Sequence, residues 1–316
     1  MQSEKPAVPV GTWIQSYTGR RVDAIELTAD QVVVSDVAHA LAQQCRFTGH
    51  TCRFYSVGEH SLYVADTYAL HKAAAWRTSG NAPVTLPPSA LLGASAAAAL
   101  ADRVRRGLRL PGVLAVGAVL RAADRLGTEA AGCIARQVLG AAVHDATEAY
   151  LADLATPTKR RLYSYRAAEK RAELATLAAL VPGWTDSEQG AEPVLRAGLG
   201  MDPAEYLAAV KSADVAVLLR EKAYLLVCDL PDWSPALPRD FWWDLAAQTA
   251  VSPLLGVLSH AERAWHRVSL HREDPHAPEA IERGFTAAFH FLAAVAGGCS
   301  IHTAHYAYLM AVRVPL

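Results

Sequence analysis

This chain of 316 residues has no excess of either charge: 30 Lys and Arg stand against 31 Asp and Glu, a formal charge of −1 at neutral pH. A surface built for nucleic acid would show a basic excess, so no such partner is expected. Cysteine is scarce as well. The five cysteines, at positions 45, 52, 133, 228 and 299, are odd in number and scattered, which suits a reduced compartment and not a disulfide scaffold. Gly (20) and Pro (17) follow no repeat, which excludes a fibre. The opening residues, MQSEKPAVPVGTW, hold no apolar run of the kind that marks a secretory signal. The apolar stretch Leu110–Leu120 ends at Arg121 and falls short of the ~20 residues a bilayer crossing needs. Residues 285–312 lack Asp, Glu, Lys and Arg, but His290, His302, His305, a Gly297-Gly298 pair and Ser300 interrupt them. They read as a buried helix or a contact between copies, so a homodimer would use this stretch and the apolar residues before His144. The expected setting is the cytoplasm, with no membrane partner.

What remains is ample for a core: 52% of residues are hydrophobic and 19% charged, which excludes a disordered chain. Residues 12–28 alternate apolar and polar around Thr18-Gly19, the pattern of a short β-hairpin. Ser35-Asp36 offers an N-cap for a helix to about Gln44, and a turn-rich segment follows. Apolar residues recur at helical spacing from about Gly58 to Trp76, over 160–181 and over 203–227. Ala, Leu, Val and Gly dominate 91–143, which suggests two or three closely packed helices running on through QVLGAAVHDATEAYLADL to a break at Thr156-Pro157. The fold class expected is all-α with a small N-terminal β-hairpin.

Histidine is unevenly spread: none of the twelve lies between His71 and His144, or between His144 and His260. A lone histidine is most often a satisfied core residue, but His144 is followed by Asp145 and, one helical turn on, by Glu148. Carboxylates on an otherwise apolar helix are costly to bury without a cation. His60 and Asp214 lie on two other expected helices, each flanked by apolar residues. A bundle that turns those faces inward assembles two imidazoles and two carboxylates, a donor set suited to a divalent transition metal. Cys45, Cys52 and His50 match no zinc spacing, and Arg105-Arg106 reads as an ordinary solvated pair.

The order His60, His144-Asp145, Asp214 resembles the signature of the HD-domain metal-dependent phosphohydrolases. The string HDATEAYLADLATPTK is similar to the corresponding helix and loop of the 5′-deoxynucleotidase-like branch, with Glu148, Asp153, Thr156-Pro157 and Lys159 in family positions. CRFTGHTCRFYSVGEHSLYVA and the TWIQSYTGRRVD hairpin resemble the start of a related bacterial and phage group. The likeness spans roughly 11–71 and 139–229 and resumes around 276–292. It departs in a long insert (72–138), in a largely unmatched stretch from Pro231 onward, and in Arg46-Phe47 where the deoxynucleotidase branch carries Arg-Trp.

The resemblance implies an HD bundle over 1–229 with a helical insert, and a helical extension over 230–316 packed on the same core. It implies one divalent transition ion (Mn, Co, Zn, Fe or Ni) held by His60, His144, Asp145 and Asp214. Multi-metal relatives need histidines that residues 146–213 lack. Glu148 becomes the proton handler beside Asp145, and Arg46, Phe47, His50, Asp153 and Lys159 the substrate contacts, with Arg53 a further candidate and Asp153 able to fix Lys159. The activity implied is hydrolysis of a small-molecule nucleotide, a nucleoside 5′-monophosphate to nucleoside and phosphate; a triphosphohydrolase that releases triphosphate is the alternative. Guanosine tetraphosphate hydrolases carry an adjacent Glu-Asp, whereas Ala149 follows Glu148, and the cyclic-dinucleotide branch needs a GYP motif that is missing. An HD-fold binding or scaffold protein without catalysis is the reading from another class.

Overall fold

The computed structural model describes residues 12–78, 112, 119, 127–184, 199–226 and 277–311, without the side chains of 70–78, 220, 223–224 and 309–310. The helices expected between 79 and 126, Arg105-Arg106 and the segment 230–253 lie outside the described residues.

Described residues are mostly helical, with one two-stranded sheet near the N-terminus. Strand β1 (Ile14–Gln15) pairs antiparallel with β2 (Arg21–Val22), Ile14 opposite Val22. Gly19 closes the turn at φ +81°, a conformation glycine adopts without a Cβ penalty. Helix α1 (Val34–Gln43) begins one residue before the expected cap, and no side chain caps it. Asp36 is spent elsewhere: its carboxylate accepts from the Thr18 N–H at 2.7 Å and the Thr18 hydroxyl at 3.0 Å, tying the hairpin turn to the helix.

The remaining helices are α2 (Val57–Thr78), α3 (Thr128–Ala142), the single turns α4 (Glu148–Leu151) and α5 (Thr156–Lys159), α6 (Tyr163–Leu180), α7 (Pro203–Leu225), α8 (Pro278–Ala296) and α9 (Ile301–Ala311). Helix α2 is the hub and touches α1, α3, α7 and α8. Helix α8 lies across α1 and α3 and folds back on α9, while α6 covers the 3-10 turn Ala29–Gln31. No helix among the described residues is long and apolar enough to cross a membrane.

Two local features set the positions of the chemistry-bearing residues. Helix α3 is rich in small residues, so its neighbours come close. A Cβ at Gly140 would overlap the phenol oxygen of Tyr206, which donates to the Gln137 carbonyl at 2.9 Å. The buried Gln137 side chain accepts from Tyr68 at 3.0 Å and donates to the Leu199 carbonyl at 2.5 Å, so α2, α3 and the approach to α7 share one satisfied polar group. The second feature is an early stop. Helix α3 ends at Ala142, not beyond Asp145 as its apolar spacing suggested, and 143–147 is a succession of turns. Val143 leaves helical geometry (φ −109°, ψ 14°), and the His144 ring turns back so that Nδ1 lies 2.9 Å from the Ala141 carbonyl, one of the acceptors left over at a helix end. The shared helical face expected for His144, Asp145 and Glu148 is therefore a shared turn.

Candidate metal centre

Three elements bring the four expected ligands together. His60 comes from the first turns of α2, His144 and Asp145 from the turn after α3, and Asp214 from the middle of α7. His60 Nε2 lies 3.4 Å from Asp145 Oδ2 and 3.4 Å from Asp214 Oδ1, and His144 Nε2 lies 3.2 Å from the same Asp145 oxygen. Ligand atoms of His60, His144 and Asp145 all fall within 4.8 Å of one another. Two donors each bound at about 2.1 Å in tetrahedral geometry stand roughly 3.4 Å apart, so these separations suit a common ion.

The tautomers agree. A carbonyl only accepts, so His144 donates from Nδ1 to Ala141 and leaves the Nε2 lone pair open. His60 Nδ1 lies 2.6 Å from Glu221 Oε1, which orients that ring in the same sense. Both Nε2 atoms are buried and have no hydrogen-bond partner. Buried polar atoms left unmatched cost free energy, so a pair of them facing carboxylates fits a bound cation. His60, His144 and Asp145 could therefore hold a metal ion, with the Asp214 carboxylate in reach of the same His60 nitrogen.

The electrostatics point the same way. Burial alone would raise the Asp145 carboxyl, but His144, His60 and Arg46 hold it well below the usual carboxylate range. Asp214 is likewise pulled down against its burial, by His60 and His144. Burial and Arg46 work to lower the His60 pKa, yet Glu221 and Asp214 carry it up to about 9. Both carboxylates are therefore held ionised, the form in which they ligate a metal, and Lys211 also reaches Asp214 Oδ2 at 2.5 Å.

Around the cluster, Arg46 Nη1 lies 3.4 Å from Asp145 Oδ2 and Nε 3.4 Å from Glu221 Oε2, with the Phe47 ring 5.8 Å from the guanidinium. Phe47 and the next residue, Thr48, both have left-handed backbones (φ 55° and 54°), a conformation costly away from glycine that clusters at functional sites. Glu148 is buried. Its Oε1 accepts from Lys159 at 3.2 Å and its Oε2 has no partner. Burial, then Asp145 and Asp153, push its carboxyl up to about 8 against the pull of Lys159 and Arg46. Lys159 also donates to Glu169 at 2.6 Å, so Glu148 and Glu169 hold this ammonium by hydrogen bonds, and Asp153 acts on it through its charge. Gln44 clamps the turn that carries these residues: its amide donates to the Glu148 carbonyl at 2.9 Å and accepts from the Asp153 N–H at 3.3 Å.

Two expected contacts lie apart from the cluster. His50 is exposed at the end of the 3-10 turn Phe47–Gly49, and no side-chain hydrogen bond or ion pair joins it to the ligands among the described residues. Arg53 is committed to the buried Glu59 through two bonds of 2.9 and 2.7 Å. Sequence reasoning also missed partners. Glu221 carried no role in it, although it follows Asp214 by seven residues, two helical turns on one face. Arg166 and Lys170 were missed too. With Tyr163, Glu169 and Glu173 they form one wall of a cleft of about 490 Å³, whose other wall is His144, Asp145 and Thr147. That volume suits a small-molecule ligand.

Fold and site together define a helical bundle with a buried His/carboxylate group able to hold a metal ion. No family model matches the chain. The chain is 33% identical over 51 residues to "Uncharacterized protein YfdR" of Escherichia coli (strain K12), covering 16% of this chain and 29% of that protein. It is 39% identical over 59 residues to "Uncharacterized protein RCAP_rcc00048" of Rhodobacter capsulatus, covering 18% of this chain and 30% of that protein. The matched stretches thus span under a third of either relative.

Proposed function

We propose that the protein is an HD-type metal-dependent phosphohydrolase that cleaves a nucleoside 5′-monophosphate to nucleoside and phosphate. One observation carries the reading: two imidazoles, both oriented through Nδ1, present buried and unpartnered Nε2 atoms to the carboxylates of Asp145 and Asp214. His60, His144, Asp145 and Asp214 would hold one divalent ion of Mn, Co, Zn, Fe or Ni. Such an ion supplies Lewis-acid polarisation of a phosphoryl oxygen and a lowered pKa for water. The protein groups divide the remaining work. Arg46 offers guanidinium N–H groups to phosphate oxygens beside Asp145. Glu148, protonated near neutrality because its carboxyl is raised to about 8, gives a proton from Oε2 to the leaving oxygen. Lys159 holds the other Glu148 oxygen in place. Phe47 packs on the sugar or base, and the cleft beside His144 and Asp145 admits the substrate.

A second reading is a triphosphohydrolase: Arg166 and Lys170 on the far wall of the cleft are cations in reach of a longer phosphate chain, but Glu169 and Glu173 line the same wall and Lys170 donates to Glu173 at 2.9 Å. A panel of nucleoside mono-, di- and triphosphates with Mn²⁺, Co²⁺, Zn²⁺ and Mg²⁺ separates the two. Free phosphate from monophosphates supports the first and released triphosphate the second. Silence across the panel with metal bound supports a non-catalytic binding or scaffold protein. Asp145→Ala is expected to remove metal and turnover together, and Glu148→Ala to spare metal while turnover falls about 100-fold or more.

A further inference from the structure

We propose that Glu221 is a positioning residue with a separate task for each carboxylate oxygen: Oε1 orients His60 for a metal ion, and Oε2 holds Arg46 in place for an anionic oxygen of the ligand. The proposal rests on the reading of the cluster as a metal centre and adds to it a mechanical link between the ligand set and the anion-binding cation.

The contacts divide by atom. Oε1 receives the His60 Nδ1 proton at 2.6 Å and the Tyr55 phenol at 2.7 Å. Oε2 lies 3.4 Å from Arg46 Nε and makes no hydrogen bond of its own. The same guanidinium reaches Asp145 through Nη1, so Arg46 spans the positioning carboxylate and a metal-facing one. The Glu221 side chain is 3% exposed and that of His60 fully buried, which removes the solvent screening that makes surface ion pairs weak. Glu221 shares α7 with Asp214, so one rigid helix carries both a ligand and the group that orients another ligand. Without an acceptor at Nδ1, His60 is free to place its proton on Nε2, the tautomer that cannot ligate.

An amide at position 221 separates the two tasks. Its oxygen still accepts from His60 and Tyr55, but its NH₂ then meets Arg46 Nε donor against donor. The test uses the full chain, with Co²⁺ alone followed by visible absorption and then inorganic phosphate titrated calorimetrically into the Co²⁺-loaded protein. Glu221→Ala is expected to weaken Co²⁺ binding about 10–100-fold, and Glu221→Gln to keep it within about threefold while weakening phosphate about 10-fold. Glu221→Ala binding Co²⁺ as tightly as wild type, or Glu221→Gln losing Co²⁺ to the same degree as Glu221→Ala, overturns the proposal. If Glu221→Ala fails to fold by circular dichroism, Glu221→Gln still decides, since an unchanged phosphate affinity overturns it. Wild-type protein that binds no Co²⁺ brings down the metal reading and this proposal with it; wild type that binds Co²⁺ beside indifferent Glu221 variants brings down this proposal alone.

Discussion

His60 and His144 reach one space by opposite routes. His60 stands on a 22-residue helix, is completely buried, and is held by a side-chain carboxylate. His144 stands on a turn, remains partly accessible from the cleft, and is held by a backbone carbonyl that the end of α3 leaves over. The helix-borne half of the cluster therefore depends on buried charge pairing, whereas the turn-borne half depends on where α3 stops. One half is costly to disturb. The other is open to a ligand and is fixed by backbone geometry.

Replacement of each histidine should expose that difference most strongly. His60→Ala leaves the Glu221 charge short of a partner in the interior and is expected to cost about 3 kcal/mol in metal-free protein. His144→Ala loses the bond to the Ala141 carbonyl and the 3.2 Å contact with Asp145, which keeps Arg46 and His60 beside it, and is expected to cost about 1 kcal/mol. Chemical denaturation measures both; equal losses would erase the distinction. Next in size, Gly140→Ala drives a methyl into the Tyr206 phenol and is expected to destabilise by about 2 kcal/mol, with part of the loss recovered when Tyr206→Phe is added. A double-mutant cycle tests that recovery.

The halves also differ in how stability depends on pH. The Glu148 carboxyl sits at about 8 in the folded protein against an ordinary value of 4.5, raised first by burial and then by Asp145 and Asp153. The folded state thus holds a proton that the unfolded chain releases, and the stability linked to this group, complete below the lower value, is lost as pH rises to the upper one. Melting of metal-free wild type should fall relative to Glu148→Gln between about pH 5 and pH 8; parallel profiles would contradict the burial argument. Least of all, Asp36→Ala unties the hairpin from α1 and is expected to cost about 1 kcal/mol with Co²⁺ affinity unchanged.

Much of this arrangement was legible in the residues. Apolar spacing marked α2 and α7, and with them the two helices that carry His60 and Asp214; alternation around Thr18-Gly19 marked the hairpin. The turn at 143–147 was hidden because it has no Gly or Pro, and because its bonds run three residues back, Ala146 N–H to Val143 and Glu148 N–H to Asp145. That register keeps His144, Asp145 and Glu148 on one side, as a helix would, so spacing alone does not distinguish the two. Ser35-Asp36 misled because a capping carboxylate is equally good at holding a distant turn. Glu221 and the Arg166–Lys170 wall were invisible for another reason: their roles arise from which helices pack together, and no local pattern encodes that.

The central claim is one cation shared by His60, His144, Asp145 and Asp214. Crystals grown with Co²⁺ and measured on both sides of the cobalt absorption edge test it most directly. The account predicts one anomalous peak per chain among those four side chains. No peak there, or a peak elsewhere on the chain alone, would contradict it.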